Sequence, residues 1–264
     1  MILRYKKLNK RESVVILSYM KKQTLNSFID KYSLNGTIES VKWVVDNNDK
    51  QIKTSSISDD KNVLSFVVIK DTAGLDNAEL GVNDTTKLKK LLNVLGEEVN
   101  IAFNKRDEKI VSLSISGEQT DVQYVTADLS VIPNVPALKK LPPFNLEIPL
   151  SKEFVSTFVK AKSALSDVDT LTFIKDKKDK IKLVIGYSNV NSNRINIDIK
   201  PTEGKDTLGK TLHFSAKYLK EILTSNGDCE NAILKVSDAG LAHVEFNNDT
   251  FNSNYYLVEI KNVD

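Results

Sequence analysis

A unit of roughly 65 residues recurs four times along this chain, and that repeat constrains the fold more than any other feature of the sequence. Each copy holds one amphipathic helical pattern, apolar at i, i+3, i+4 and i+7. The first is Leu25, Phe28, Ile29 and Tyr32; the second is Leu88, Leu91, Leu92 and Leu95, opened by Asp84 as N-cap. The third starts at Ser151 with Phe154, Phe158, Ala161 and Leu165, its apolar face broadened by Val155 and Val159. The fourth starts at Ser215 with Leu219, Ile222 and Leu223. Around each helix the period drops to two, the period of strands. After helix two, Val99, Ile101 and Phe103 lead through the polar turn 104–109 to Val111, Leu113 and Ile115, a hairpin pattern. The same pattern follows helix three (Leu171 and Phe173, then Ile181, Leu183 and Ile185) and helix four (233–236, then Ala242, Val244 and Phe246). After helix one, Val41, Trp43 and Val45 lead into a weaker partner. One more strand closes each unit, at 63–69, 122–127, 195–199 and 255–260, and a short strand precedes each helix, clearest at 144–150 and 211–214.

The chain therefore reads as β-α-β-β-β four times over, an α+β fold of antiparallel sheets. The Pro-rich stretch 133–143 falls between units two and three, where a connector between two similar domains, 20–132 and 144–264, belongs. Residues 1–19 are either an N-terminal extension, with Val14 to Leu17 as the first strand, or the product of an upstream start. No apolar run approaches the roughly 20 residues of a membrane span, so no membrane partner is expected. The polar, basic N-terminus lacks a secretory pattern, and Cys229, the only cysteine, excludes an intrachain disulfide. A cytoplasmic location, that of the host if the protein is viral, is the expectation.

Four lone helices among some sixteen short strands must each bury one stripe on a sheet and leave the other face bare. That bare face is basic. Helix two carries Lys87, Lys89 and Lys90; helix three carries Lys152, Lys160 and Lys162; helix four carries Lys217 and Lys220; helix one is poorer, with Lys21, Lys22 and Lys31. The net charges over 21–33, 84–95, 151–163 and 215–226 are +2, +2, +2 and +1, in a chain whose total is only +2. Lysines decorate solvated helices everywhere, but four equivalent basic faces in an otherwise acidic chain point to a polyanion. Lysine with Ser, Thr and Asn, without clustered arginine or stacking aromatics, suits sequence-independent contact with duplex phosphates.

The segment Phe214-Ser215-Ala216-Lys217-Tyr218-Leu219-Lys220-Glu221-Ile222-Leu223 resembles the last helix of the proliferating cell nuclear antigen family. The run Tyr255-Tyr256-Leu257-Val258-Glu259-Ile260 resembles that family's final strand and tail, and spacing and length resemble the sliding clamps of T-even-type tailed phages. The resemblance covers about residues 20 to 264 as a pattern of elements. It implies a DNA clamp fold, with helices on one face of curved antiparallel sheets, and a homotrimeric ring that encircles duplex DNA and tethers a DNA polymerase. Twelve helices would line the hole, and an ATP-dependent clamp loader would open the ring. Protomers would join by pairing of edge strands, suggested to be those of units two and four. It further implies an apolar pocket for partner peptides at Ile57, Val135, Leu138, Leu141, Leu241, Tyr255, Leu257, Val258 and Ile260. Some phage clamps also serve transcription factors.

Enzyme motifs are absent from the sequence. His213 and His243 sit inside apolar strand patterns, Cys229 has no second thiol, and no Gly-rich phosphate loop or metal-ligand spacing occurs. No catalytic residue, metal or cofactor is expected. Two other readings stay open: a monomeric processivity factor of the herpesvirus kind, and a structural or virion protein built from duplicated α+β units.

Overall fold

The computed structural model describes residues 18–138, 140–176, 180–188 and 192–261. Four β-α-β-β-β units follow one another. Unit one is β1 (Ser18–Lys21), α1 (Lys22–Ser33), β2 (Val41–Asp46), β3 (Gln51–Ile57) and β4 (Val63–Ile69). Unit two is β5 (Ala78–Val82), α2 (Thr85–Asn93), β6 (Glu98–Arg106), β7 (Lys109–Ser116) and β8 (Asp121–Val125). Unit three is β9 (Leu146–Pro149), α3 (Lys152–Ala164), β10 (Thr170–Lys175), β11 (Ile181–Ile185) and β12 (Ile195–Asp198). Unit four is β13 (Leu212–Ser215), α4 (Ala216–Ser225), β14 (Ala232–Ser237), β15 (Leu241–Asn247) and β16 (Phe251–Val258).

The turn read at 104–109 narrows to 107–108, since β6 runs to Arg106 and β7 starts at Lys109, and the last strand ends at Val258 rather than Ile260. Two other boundaries differ from the sequence pattern for one reason. The weak strand of unit one is a full β3, and β16 begins well before Tyr255, because small polar residues take inward positions there. Ser56 and Ser65 bond to each other across buried β3 and β4, Thr54 donates to the Lys42 carbonyl, and Ser253 is buried in β16. The strand anticipated at 14–17 lies outside the described residues; β1 takes its role, starting inside the segment set aside as 1–19.

The units interlock. Each strand before a helix pairs with the strand after the other helix of the same half: β1 with β6, β5 with β2, β9 with β14 and β13 with β10. No unit can complete its sheet alone. Two four-stranded sheets result, ordered β1-β6-β7-β8 and β12-β11-β10-β13, beside an eight-stranded sheet, β5-β2-β3-β4-β16-β15-β14-β9. The eight-stranded sheet crosses from one half of the chain to the other through antiparallel β4 and β16, paired from Val63↔Leu257 to Ile69↔Phe251. Unit four's last strand is therefore interior, and the strand of that unit that ends a sheet is β13. The sheets end on β1 and β8, on β12 and β13, and on β5 and β9, with β8 closing unit two and β12 closing unit three.

The helices lie in a row, α2, α1, α4, α3, touching side by side over the sheets. One continuous apolar core runs beneath them, with Phe28, Tyr32 and Trp43 meeting edge to face under α1. Two glycines are required by close approach. A Cβ on Gly81 would meet the Ala127 carbonyl oxygen at 2.6 Å, where the chain leaving β8 bonds to β5. Gly240, at φ +83°, lies under the Glu259 side chain.

The row is fastened where α1 meets α4. Lys31 is fully buried, yet its Nζ donates to the Asp228 carboxylate at 2.5 Å and to the Ser225 carbonyl at 3.1 Å, and sits over the Phe251 ring. Beside it Tyr255 Oη donates to the Lys31 carbonyl and accepts from Asn226 Nδ2. Asp228 is part-exposed while Lys31 is not, so the two deletions differ. Asp228→Asn strands a buried ammonium and is expected to cost about 3 kcal/mol, whereas Lys31→Met leaves a hydrated carboxylate and costs about 1 kcal/mol. Urea unfolding followed by Trp43 fluorescence measures both.

Candidate functional site

The face of the helix row turned away from the sheets carries the lysines of interest. Lys21, Lys87, Lys90, Lys160 and Lys217 are exposed and Lys220 is half-exposed; none of them forms an ion pair among the described residues. Lys90, Lys160 and Lys217 stand across from their helices' buried stripes, which for α2 include Leu88 and Leu92 and for α4 Leu219, Ile222 and Leu223, while Lys87 and Lys220 lie on the flanks and Lys21 precedes α1. Helix capping fixes the origins: Asp84, Ser151 and Ser215 accept from Lys87, Phe154 and Tyr218 backbone N–H groups.

Other lysines are partly or wholly withdrawn from that face. Lys31 and Lys162 do not belong to it. Lys31 is the buried tie described above. Lys162 is buried and donates to the Leu165 and Ser166 carbonyls, capping the C-terminus of its own helix. Lys89 pairs with Asp30 of α1, Lys152 pairs with Glu230 at 2.7 Å, and Lys22 donates to the Leu95 carbonyl at 2.7 Å. A polar cleft of about 480 Å³ lies between α1 and α4, lined by Asp30, Glu221 and Asp228 as well as Lys89. The basic face is thus interrupted by acid at the middle of the row.

On the opposite side of the eight-stranded sheet, the residues anticipated as a peptide pocket divide by strand parity. Tyr255 and Leu257 point into the core, 0% and 2% exposed, and cannot line an outer pocket. Ile57 on β3, Leu241 on β15, Val258 on β16 and Ile260 just beyond β16 are partly or well exposed, with Leu241 directly across from Val258. On the connector, Val135 is half-buried and Leu138 and Leu141 are exposed.

Between them lies a cluster that the sequence pattern did not single out. His243 stacks on Tyr256 at 4.4 Å between ring centroids, Phe66 meets Tyr256 edge to face, and Phe144, at the end of the connector, approaches His243 at 5.9 Å. Leu64 joins through the row Ile57–Leu64–Tyr256–His243, given by the registers of β3, β4, β16 and β15. The signal was available, since these residues occupy the alternate positions of strands whose other face is core. His243 shares a hydrogen bond with Asn254 Oδ1 at 2.8 Å. Burial holds its pKa below the ordinary 6.5, and the same cause lowers that of His213, which bonds to Thr172. Neither ring has a carboxylate partner arranged for proton transfer, and no cluster of His, Cys, Asp or Glu suited to a metal occurs among the described residues.

No protein-family model and no curated protein matches the chain. Solved structures do match. One, described as the C-terminal region of FEN-1 bound to A. fulgidus PCNA, aligns at TM-score 0.70 and 14% identity, over 94% of this chain and 100% of that one. Another, proliferating cellular nuclear antigen from Entamoeba histolytica, aligns at TM-score 0.69 and 17% identity, over 93% and 100%. The chain has the fold of these two proteins, and the α+β architecture read from the sequence is the one observed.

The two histidines set an acid limit. Their folded-state pKa values lie below the unfolded value, so the unfolded chain takes up protons first as pH falls. Their contribution is complete above pH 6.5 and is lost as pH drops from there toward the folded values. The carboxylates with depressed pKa, including Asp128 at about 2, act only further down. Replacing His243 by Gln, which keeps a polar partner for Asn254, is expected to flatten the fall in melting temperature between about pH 7 and pH 5.

Proposed function

We propose that this protein is a sliding clamp, a homotrimeric ring that encircles duplex DNA, holds a DNA polymerase to its template and performs no catalysis itself. The observation that carries this reading is the helix row: four adjacent helices bury one face on the sheets, and α2, α3 and α4 turn unpaired lysines to the other, with Lys21 just ahead of α1. Ammonium groups on flexible stems, without arginine forks or aromatic platforms, favour loose phosphate contact that any sequence satisfies. Retention then comes from closure of the ring rather than from affinity.

The free edges support the ring. On β8, Val122 and Tyr124 face inward; on β12, Ile195 and Ile197 do, and Val122 and Ile195 are only half-covered. Antiparallel pairing of β8 with β12 of a second copy would cover them and remove both exposed edges. A head-to-tail contact of this kind closes by rotation. Keeping the apolar residues on one face leaves two near registers. One sets Asp121 against Asp198, and like charges directly opposite are unfavourable. The other sets Asp121 against Lys200, Val122 against Ile199 and Tyr124 against Ile197, and is the register we favour.

The outer face supports the partner reading. The exposed apolar residues Ile57, Leu241, Val258 and Ile260, the aromatic cluster around Tyr256 and the connector residues Val135, Leu138 and Leu141 together suit a short apolar peptide. Polymerase, an ATP-dependent loader and transcription factors are the partners of that kind.

Light scattering should give a mass three times 29.5 kDa. Asp121→Lys or Lys200→Asp alone should shift the dilution series toward monomer, and the double exchange should restore the trimer. Singles that leave the mass unchanged would place the interface elsewhere, and a strict monomer would favour the open, herpesvirus-type reading. Rings loaded on circular DNA should be retained and should run off once it is linearised. Lys90, Lys160 and Lys217 replaced together by Ala should leave the trimer intact and lower the salt dependence of DNA binding by up to about 0.9 log unit for each phosphate no longer neutralised.

A further inference from the structure

One row across the outer face of the eight-stranded sheet is closed where such a face is ordinarily wet. Glu147, Lys235, His243, Tyr256 and Leu64 stand side by side on β9, β14, β15, β16 and β4. His243, Tyr256 and Leu64 are only 6%, 7% and 8% exposed. Phe144, at the end of the connector, lies over His243, its ring 5.9 Å from the imidazole at a tilt of 38°. The chain there is pinned twice: the Phe144 carbonyl accepts from Lys205 Nζ at 3.0 Å, and the Asn145 N–H donates to the Val236 carbonyl. The imidazole also stacks flat on Tyr256, 4.4 Å away with 4° between the planes.

The surroundings of this ring suit its neutral form. Asn254 Nδ2 donates to Asn252 Oδ1, so the amide turns its Oδ1 to His243, and the ring's Nε2 donates to it at 2.8 Å. A second proton would go to Nδ1, which has no hydrogen-bond partner among the described residues. Nor is there spare negative charge. Glu245 of β15 is held by Lys235 of β14 at 3.0 Å, and Glu147 of β9 is held by Lys205 at 3.8 Å. From β16, β4 and the connector come Asn254, Tyr256, Leu64, Phe66 and Phe144, all uncharged. Two carboxylates already balance two lysines, so an imidazolium would be a third cation. Burial and the nearby Lys235 ammonium outweigh the Asn254 bond and the Glu245 charge, and keep the ring's pKa below its ordinary value.

We propose that His243 is an acid-sensitive latch for the connector: neutral, it holds Phe144 on the outer face; protonated, it leaves the stack and the connector lifts. The contact to Phe144 is the looser of the ring's two aromatic contacts, and the strands beneath are tied into continuous ladders, so the connector yields and the sheet does not. A released ring returns to the ordinary 6.5, so the latch is fully closed above that pH. Below it, opening gains about tenfold per pH unit until the closed ring itself takes up a proton. Lifting Phe144 bares His243 and adds aromatic surface to the outer face. That this surface meets a partner peptide rests on the clamp reading; the latch itself does not.

The test is hydrogen exchange, read by mass spectrometry on the full-length protein without DNA or peptide and corrected for the intrinsic pH dependence of exchange. Protection of the segment 140–147, where the Asn145 N–H is the reporter, should fall by up to about tenfold between about pH 6.5 and pH 5.5, while β14, β15 and β16 stay protected. His243→Gln, which keeps a donor for Asn254, should abolish the fall. Lys235→Met frees Glu245 to face the imidazolium and should shrink it, whereas His213→Gln, on another sheet, should leave it as in the wild type. Constant protection of 140–147 in the wild type, or an equal fall in His243→Gln, overturns the proposal. So does a fall shared by β14–β16 at the same pH, which is unfolding of the sheet and not release of the connector.

Discussion

The pairing of β4 with β16 is the constraint on which the rest of the molecule depends. Each half could close its own interlocked sheets, but only this antiparallel ladder joins them into one eight-stranded sheet. It brings α1 beside α4 and so makes four helices a single row. It also decides which strands remain free, by absorbing β16 and leaving β8 and β12 at the far ends of the flanking sheets. The residues next to the ladder reinforce it from both halves: Lys31 reaches Asp228, Tyr218 donates to Asp60, and Lys70 reaches the Asn248 carbonyl.

That joint has an electrostatic consequence. Buried charge at the α1–α4 contact has to be matched, and the matching carboxylate, Asp228, comes from the loop after α4. Together with Asp30 and Glu221 it makes the middle of the helix row mixed in charge, while free lysines stand on either side of it. A polyanion crossing this face meets separated cations instead of a continuous basic groove. Separated contacts are easily exchanged one at a time, which favours motion along the polyanion over tight residence.

Much of this was legible in the sequence because it lives in periodicity. The change from a period of 3.6 to a period of 2 repeats four times, and it located every helix and nearly every strand. Pairing was not legible, since nothing local says that β1 belongs with β6 instead of β2. The lysines divide in the same way. Lys90 and Lys217 lie squarely opposite apolar stripes and stay exposed, but Lys31 lies at the edge of its stripe, and its fate was set by a carboxylate 197 positions away. Lys162 turns back on the last carbonyls of its own helix, an outcome available to any lysine near a helix end. In β16 a stricter use of alternation would have separated inward Tyr255 and Leu257 from outward Tyr256 and Val258. It would have exposed the aromatic cluster with them.

The balance between lysine and arginine completes the physical picture. Only four of the 37 basic residues are arginine, and the two that are described, Arg106 and Arg194, lie off the helices. A guanidinium binds phosphate through a rigid fork and gives up its water readily, whereas an ammonium keeps its hydration and acts as a point charge. A surface meant to hold one site on a nucleic acid gains from forks, because each fixes direction as well as distance. A surface meant to accept every position equally loses by them, since each fork would have to break and re-form as the helix turned past it. On the proposed clamp reading, hydrated lysines on long stems would smooth that landscape, and a closed ring would supply the retention that they forgo in affinity.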